Sequence, residues 1–576
     1  MYRLLHIILL FCSLPFFSST AQTMGQRWEG EGTQRSPYLI KSEVDLQILA
    51  QEVNQGTDYK GYFFKLANDI NLSTVCGENL SDWSSIGSIE NYFEGDFNGD
   101  GHTVSNIYIQ TRGARTSYRG LFGYVGPYGK ISNLIVQGSI YAFFWAGAIA
   151  GASSGVISNC SNEGCDVESW QYAGGIVGGN FGVVSQCRNE ATIRSYLATG
   201  GICGYNYGGL YKSYNYGEIY GYTGSGGLVG YNGGFSSFSN CYNRPMGIVQ
   251  NCANNSFVSG KEKVGGIVGR NDGLFFNNYN RGELSAEKEV GGLVGYNGGF
   301  DGVEGLIYNS YNIGNVLCSV SQGGGAIGVN EFSGNIYNIY TSGVVYVPGT
   351  SVSILSSNEG NLNHCYAMGQ NLTLVNSNNG IMTDCSIIHP DSFQVLTDNL
   401  NAWVDEAQDS IFSHWACLGD SKYPYFANLS SPIYNVLVYN FHGIIEENLL
   451  AFSEGKEVKL NVTPDPGYTL SGATAICNMD SVPITVENNQ LSFVMPSGDV
   501  FIYLEWQEDQ ITRVNNLKVI GGFSELFLYS KENMVVDIYS IDGRHITNFS
   551  ISSMEEKRIP IPSGVYLING IELIVR

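Results

Sequence analysis

Gly226-Gly227-Leu228-Val229-Gly230, followed by Tyr231-Asn232 and then by Ser239-Asn240-Cys241-Tyr242-Asn243, is the stretch whose reading decides the fold. Worn copies of it return from about Arg119 to Cys385. Gly147, Gly174, Gly200, Gly265, Gly291 and Gly324 stand in register with Gly226, mostly 26 or 27 residues apart. A period in this range marks a stacked array, in which each unit leaves an apolar face for the next to cover. Three apolar runs per unit, separated by turns, suit one coil of a parallel β-helix; the blade of a propeller needs about 40 residues and is the weaker reading. The expected fold is all-β: a parallel, right-handed β-helix capped by short helices and followed by two small β-sandwich-like domains.

Within the copies, Ile176, Ile202, Leu228, Ile267 and Leu293 share an apolar position. Asn180, Asn206, Asn232, Asn271, Asn297 and Asn330 each lie six residues after the first Gly of their copy, and Asn162, Asn189, Asn215, Asn243, Asn280 and Asn312 form a second set. In coils about 4.8 Å apart, equivalent Asn side chains can bond one above another, so both sets read as structural ladders. Cys160, Cys187, Cys241, Cys252, Cys365 and Cys385 occupy a place taken elsewhere by Ser213, Asn278, Ser310 and Ile339, which fits a small interior slot. A Cys160–Cys187 bridge between adjacent coils is sterically allowed. Alternation along the strand places Tyr214, Tyr242, Tyr279, Tyr311, Tyr340 and Tyr366 on the outside, as a stripe of rings. Such a stripe either stiffens the sheet by mutual stacking or offers a platform for sugar rings.

The rest of the chain divides around this array. Residues 1–21 read as an export signal: Arg3 and His6, an apolar run from Leu4 to Phe17, then Ser19-Thr20-Ala21 at the cleavage spacing. Residues 22–118 form an N-terminal cap and first coils, with a helix from about Glu43 to Asn54 capped by Ser42 and Asp45. The β-helix proper takes 119–385. A C-terminal cap takes 386–430, with a second helix marked by Phe393, Leu396, Leu400 and Trp403. From 431 to 507 the pattern changes to alternating strands, and 511–576 is a last β unit. No later stretch is long and apolar enough to span a bilayer, so the mature chain has no transmembrane segment.

Composition narrows function. Charged residues are only 14% of the 576, and the formal net charge of −23 without a Lys/Arg cluster argues against nucleic acid as partner. Asp96, Asn98 and Asp100 match the first half of a calcium loop, but Ile107 stands where a bidentate Glu belongs, and the same residues make a plain turn. No other metal spacing, nucleophile elbow or cofactor fingerprint occurs, and no cofactor is expected. Glu218, Glu283, Glu287, Glu289, Asp301, Glu304 and Glu331 do not recur at one coil position beside a Lys or Arg. The chain therefore reads as non-catalytic, while a carboxylate cluster with a basic neighbour on one face of adjacent coils would favour a polysaccharide lyase or hydrolase.

The blocks resemble GLUG-motif repeats, through Gly227-Leu228-Val229-Gly230 and Gly292-Leu293-Val294-Gly295. The leader resembles the front end of such proteins, through Pro37-Tyr38-Leu39-Ile40, Trp83-Ser84-Ser85-Ile86-Gly87 and Phe97-Asn98-Gly99-Asp100-Gly101-His102. The resemblance covers roughly Trp28 to Leu429 and implies a secreted or surface β-solenoid. Some such proteins carry an IgA-cleaving zinc peptidase, but no His-Glu-x-x-His occurs in this sequence and that activity is not carried over. Pro464-Asp465-Pro466-Gly467-Tyr468 and Met495-Pro496-Ser497-Gly498-Asp499 resemble β-repeat modules of bacterial adhesins. The end of the chain, with Ile538-Tyr539, Gly543-Arg544, Gly564-Val565-Tyr566 and Arg576, is similar to type IX secretion sorting domains; an ordinary terminal β-sandwich is the alternative. Together these imply Sec export, type IX secretion machinery as a partner, and a secreted or outer-membrane surface location. The function expected is an adhesin or glycan- or host-protein-binding scaffold, with a polysaccharide-active enzyme and a structural stalk as alternatives.

Overall fold

The computed structural model describes residues 28–428 except 112–116, 234–246, 299–303, 349–351, 370–372, 410 and 418–422, together with the strands and connecting residues of 433–575 named below. Residues 1–21, read above as an export signal, lie outside the described residues, as do Cys241, Tyr242, Asn243, Asp301, Gly543, Arg544 and Arg576.

The repeats wind into a parallel β-helix. A ten-stranded sheet runs from Phe122–Val125 to Thr373–Asn378, and a 31-stranded sheet wraps the remaining sides of the coils. One coil comprises Val177–Asn180, Val183–Ser185, Arg188–Asn189 and Ile193–Gly200. The next lies directly over it, with Val177 opposite Cys203, Val183 opposite Gly209, Arg188 opposite Tyr214 and Gly200 opposite Gly226. Because a side-chain face repeats in every coil, Ile176, Ile202, Leu228, Ile267 and Leu293 form one fully buried interior column. The paired glycines are demanded by close approach. A Cβ on Gly226 would stand 1.9 Å from Val229 O, and one on Gly227 would stand 2.0 Å from Gly266 O of the following coil.

Two corners of each coil are left-handed. One runs through Asn133, Asn159, Gln186, Lys212, Asn251, Asn277, Asn309, Asn338, His364 and Asp384, all at positive φ. Asn dominates this corner because its short amide tolerates that region better than most side chains. The other runs through Tyr118, Trp145, Tyr172, Ala198, Gly224, Lys263, Glu289 and Gln322.

Inside, Asn180 donates to Asn206, Asn206 to Asn232, Asn232 to Asn271, Asn271 to Asn297 and Asn297 to Asn330, at 2.7 to 2.8 Å. The column continues through Asn358 to Asn378, beyond the range read from the repeats. In the second column Asn215 bonds to Asn254, which bonds to Asn280. Asn254 holds the place assigned above to Asn243, because that coil is 13 residues longer than the one before it, 39 against 26, and the register resumes at Ile248 opposite Gly209. Cys160 and Cys187 are not bridged to each other.

At the start, the helix Glu43–Asn54 carries a Ser42–Asp45 capping box and seats Leu46, Leu49, Ala50 and Val53 in the core of the first coil. The second helix, Phe393–Ala407, takes a different position from the end cap expected of it. It and residues 411–417 and 423–426 lie along the side of the solenoid, while the terminal strands Thr373–Asn378 and Ile381–Thr383 stay largely exposed. The side corner holds the segment with amides: Asn277 donates to Ile411 O, Asn309 to Ser413 O and Asn338 to Leu400 O.

Strands Ile433–Tyr439, Glu457–Pro464, Tyr468–Cys477, Gln490–Val494 and Val500–Glu508 belong to two small sheets around Val458, Leu460, Leu491, Val500 and Ile502. Leu517–Gly521 through Ile571–Val575 form two more. No helix among the described residues is long and apolar enough to cross a membrane.

Candidate functional site: aromatic columns on the outside of the coil

The predicted tyrosine stripe exists as a column, but most of it is covered. Tyr279 and Tyr311 stack at 5.1 Å and 7°, and Tyr311 and Tyr340 at 5.2 Å and 2°. Tyr311, Tyr340 and Tyr366 are 2%, 0% and 4% exposed, because Leu396, Leu400, Trp415 and Phe426 of the side segment pack over them. Tyr340 gives its hydroxyl to Pro424 O at 2.5 Å, and burial pushes its phenol well above the ordinary value. As ligand contacts, these three are therefore corrected to core. Tyr214 and Tyr279 are half-buried, and between them Ala253, not Tyr242, holds the column position.

A second column, absent from the sequence reading, is exposed. Trp170, Tyr196 and Tyr222 each lie four residues before the first Gly of their copy, as do Phe143 and Lys261. That spacing is a signal the sequence offered. Trp170 stacks on Tyr196 at 4.4 Å and 4°, Tyr196 on Tyr222 at 4.5 Å and 13°, and Phe143 on Trp170 at 6.3 Å and 17°. The pile ends at Lys261, whose Nζ donates to the Tyr222 hydroxyl at 2.9 Å; this bond holds the ammonium above its ordinary pKa. Trp170, Tyr196 and Tyr222 remain 45%, 42% and 38% exposed. Since neighbouring rings cover one another's faces, the pile shows solvent its rims and hydroxyls.

Beyond the left-handed corner, the outer face of the ten-stranded sheet carries a mixed-charge group drawn from three coils. Arg270 Nε donates to Asp272 Oδ2 at 2.8 Å, Lys263 lies 3.9 Å from Glu289, and Tyr296 donates to Glu331 at 2.6 Å. Burial raises the Asp272 carboxyl to about 6, against the opposing pull of Arg270 and Lys263. The sequence concealed this group because its members come from different positions of different coils.

Asp96 and Asn98 lie on a strand, with Asn98 Oδ1 accepting from Asp100 N and from Asn133 Nδ2. Asp100 pairs with Lys65 at 2.8 Å. These oxygens serve a turn, a ladder and an ion pair.

No family model matches the chain. A protein of Evansella cellulosilytica named "Putative Gly-rich membrane protein" is 32% identical over 162 residues, covering 27% of this chain and 18% of that protein. "Halomucin" of Haloquadratum walsbyi is 30% identical over 142 residues, covering 23% of this chain and 2% of that protein. The chain thus matches less than a fifth of either relative's length. A crystal structure described as "a putative immunoglobulin A1 protease" from Bacteroides ovatus aligns over 69% of this chain and 94% of its own, at 21% identity and a TM-score of 0.29.

Proposed function

We propose that the chain is a non-catalytic, exported surface scaffold of adhesin type, which contacts glycans or host surface proteins through the Trp170–Tyr196–Tyr222 pile. The observation that carries this reading is the exposure of three stacked rings on a rigid sheet. Large rings with few rotatable bonds lose little entropy on contact, and Trp and Tyr dominate binding energy where partners meet. Rims and hydroxyls suit hydrogen bonding and edge contact more than ring-face stacking of a sugar. The GLUG-like repeats, the export signal and the sorting-domain residues support surface delivery by the type IX route, and a membrane-protein name on one relative agrees with it.

The test is a glycan array and a host-surface-protein panel probed with the mature chain and with Trp170→Ala/Tyr222→Ala. Binding that falls at least tenfold in the variant supports the reading; no ligand, or unchanged binding, overturns it and leaves the structural stalk.

The Arg270, Asp272, Glu289 and Glu331 group favours a second reading, a polysaccharide-cleaving enzyme, since it brings carboxylates beside a cation on one face of adjacent coils. Release of new reducing ends or unsaturated sugars by the wild type, abolished in Asp272→Asn, would select it.

A further inference from the structure

The thiols of Cys365 and Cys385 occupy the last two places of the interior cysteine column. Strands Tyr366–Met368 and Ser386–Ile388 pair in parallel with Tyr366 opposite Ser386, which sets Cys365 and Cys385 opposite each other in adjacent coils. One inter-strand spacing, about 4.8 Å, falls within the Cα separation a disulfide accepts. Cys385 Sγ reaches to 3.5 Å from Leu362 O in the coil that carries Cys365. Cys365 Sγ also lies 3.2 Å from Asn363 O, and Cys385 Sγ lies 3.2 Å from Thr383 O.

The column contains its own control. Cys160 and Cys187 have the same arrangement: they sit opposite each other, Cys187 Sγ lies 3.8 Å from Ile157 O of the preceding coil, and each sulfur is 3.3 Å from a carbonyl of its own coil. Both are sealed, at 1% and 0% exposure. At the far end the seal is missing. Cys365 is buried but Cys385 is half-exposed, because it lies in the terminal coil that the side segment leaves open. Burial pushes the Cys365 and Cys160 thiols well above their ordinary value, while the bond from Cys365 holds the Cys385 thiol below it.

We propose that Cys365 and Cys385 are a redox-modifiable pair which a small disulfide oxidant converts, in the folded chain, to a bridge tying the terminal coil to the one before it. The Cys385 thiolate attacks one sulfur of the oxidant, whose S–S bond breaks and releases one thiolate, leaving a mixed disulfide on Cys385. Cys365, giving up its proton to solvent, then attacks Cys385 Sγ, and the second half of the oxidant leaves as a thiolate. The pair loses two electrons and two protons; the oxidant gains them and becomes two thiols. Cys385 is the attacking group because it is the accessible member of the pair. This inference is independent of the binding and enzyme readings.

The test incubates the reduced full-length chain with oxidised glutathione at pH 8, traps free thiols by alkylation, and maps peptides by mass. The expected product is a single Cys365–Cys385 cross-link two hydrogens lighter than the reduced peptides, with Cys160 and Cys187 still reduced. Cys365→Ser should stop at a stable Cys385–glutathione mixed disulfide, and Cys385→Ser should leave Cys365 unmodified. Serine already occupies this column at Ser213 and Ser310, so both variants fit the fold. Amide exchange across 373–388 should slow on oxidation. The proposal is overturned if wild-type Cys385 stays reduced or stops at the mixed disulfide, or if Cys160–Cys187 closes equally fast.

Discussion

Trp170 and Tyr196 face each other across adjacent coils with ring centres 4.4 Å apart and planes 4° from parallel. Twenty-six residues separate them in the chain, one full turn of the solenoid, so the contact records coil spacing directly. Tyr222 extends the pile by one further coil.

Removing the middle ring should cost stability as well as binding. Tyr196→Ala deletes two ring contacts, each worth about 0.5 to 1.5 kcal/mol. A loss of about 1 to 3 kcal/mol in urea unfolding is expected, while Tyr196→Phe, which keeps both contacts, should stay within about 0.5 kcal/mol. If the two variants behave alike, the stacking is not stabilising.

The asparagine column should be least forgiving at its centre. Asn232 accepts from Asn206 and donates to Asn271 and Gly247 O. Asn232→Ala strands buried partners above and below, at about 1 to 3 kcal/mol for each group left unpaired. Asn378 is partly exposed at the terminal coil, so water replaces its bonds, and Asn378→Ala should cost under about 1 kcal/mol. Equal losses at the two sites would contradict a burial-dependent ladder.

Side-segment packing can be read by tyrosine chemistry. Native nitration should modify Tyr196 and Tyr222 and spare Tyr340. Trp415 lies 5.6 Å from Tyr340 and 5.7 Å from Tyr311, ring centre to ring centre, and donates from its indole to Asn309. Trp415→Ala should cost about 3 to 5 kcal/mol and open Tyr340 to the reagent. Nitration of Tyr340 in the intact protein would show that the segment does not cover it.

Asp272 gives the stability a pH dependence of its own. Its folded pKa, about 6, lies above the ordinary unfolded value near 4, so between those limits the folded state holds a proton that the unfolded state releases. The contribution is complete below pH 4 and is lost as pH rises through 6, an effect on the order of 2 to 3 kcal/mol. Urea midpoints of the wild type should fall over this window relative to those of Asp272→Asn. Parallel profiles would assign the slope to other groups.

The sequence by itself determined the coil. A period of 26 residues with glycine pairs and apolar triplets admits one economical packing, and the period also fixes which residues share a column, because side-chain direction along a strand is local geometry. The Glu43–Asn54 helix was equally legible, since its capping box and apolar spacing lie within a dozen residues. Which columns meet solvent was decided only in three dimensions. Tyr311 and Tyr340 are buried by Leu396, Leu400, Trp415 and Phe426, which arrive two or more coils later in the chain and are held by the Asn277, Asn309 and Asn338 amides, and no repeat pattern encodes such a partner. The 13-residue insertion moved the column position from Tyr242 to Ala253, which strand register alone reveals. Arg270, Asp272, Glu289 and Glu331 came together for the same reason: stacking turns distances of tens of residues along the chain into single coil spacings.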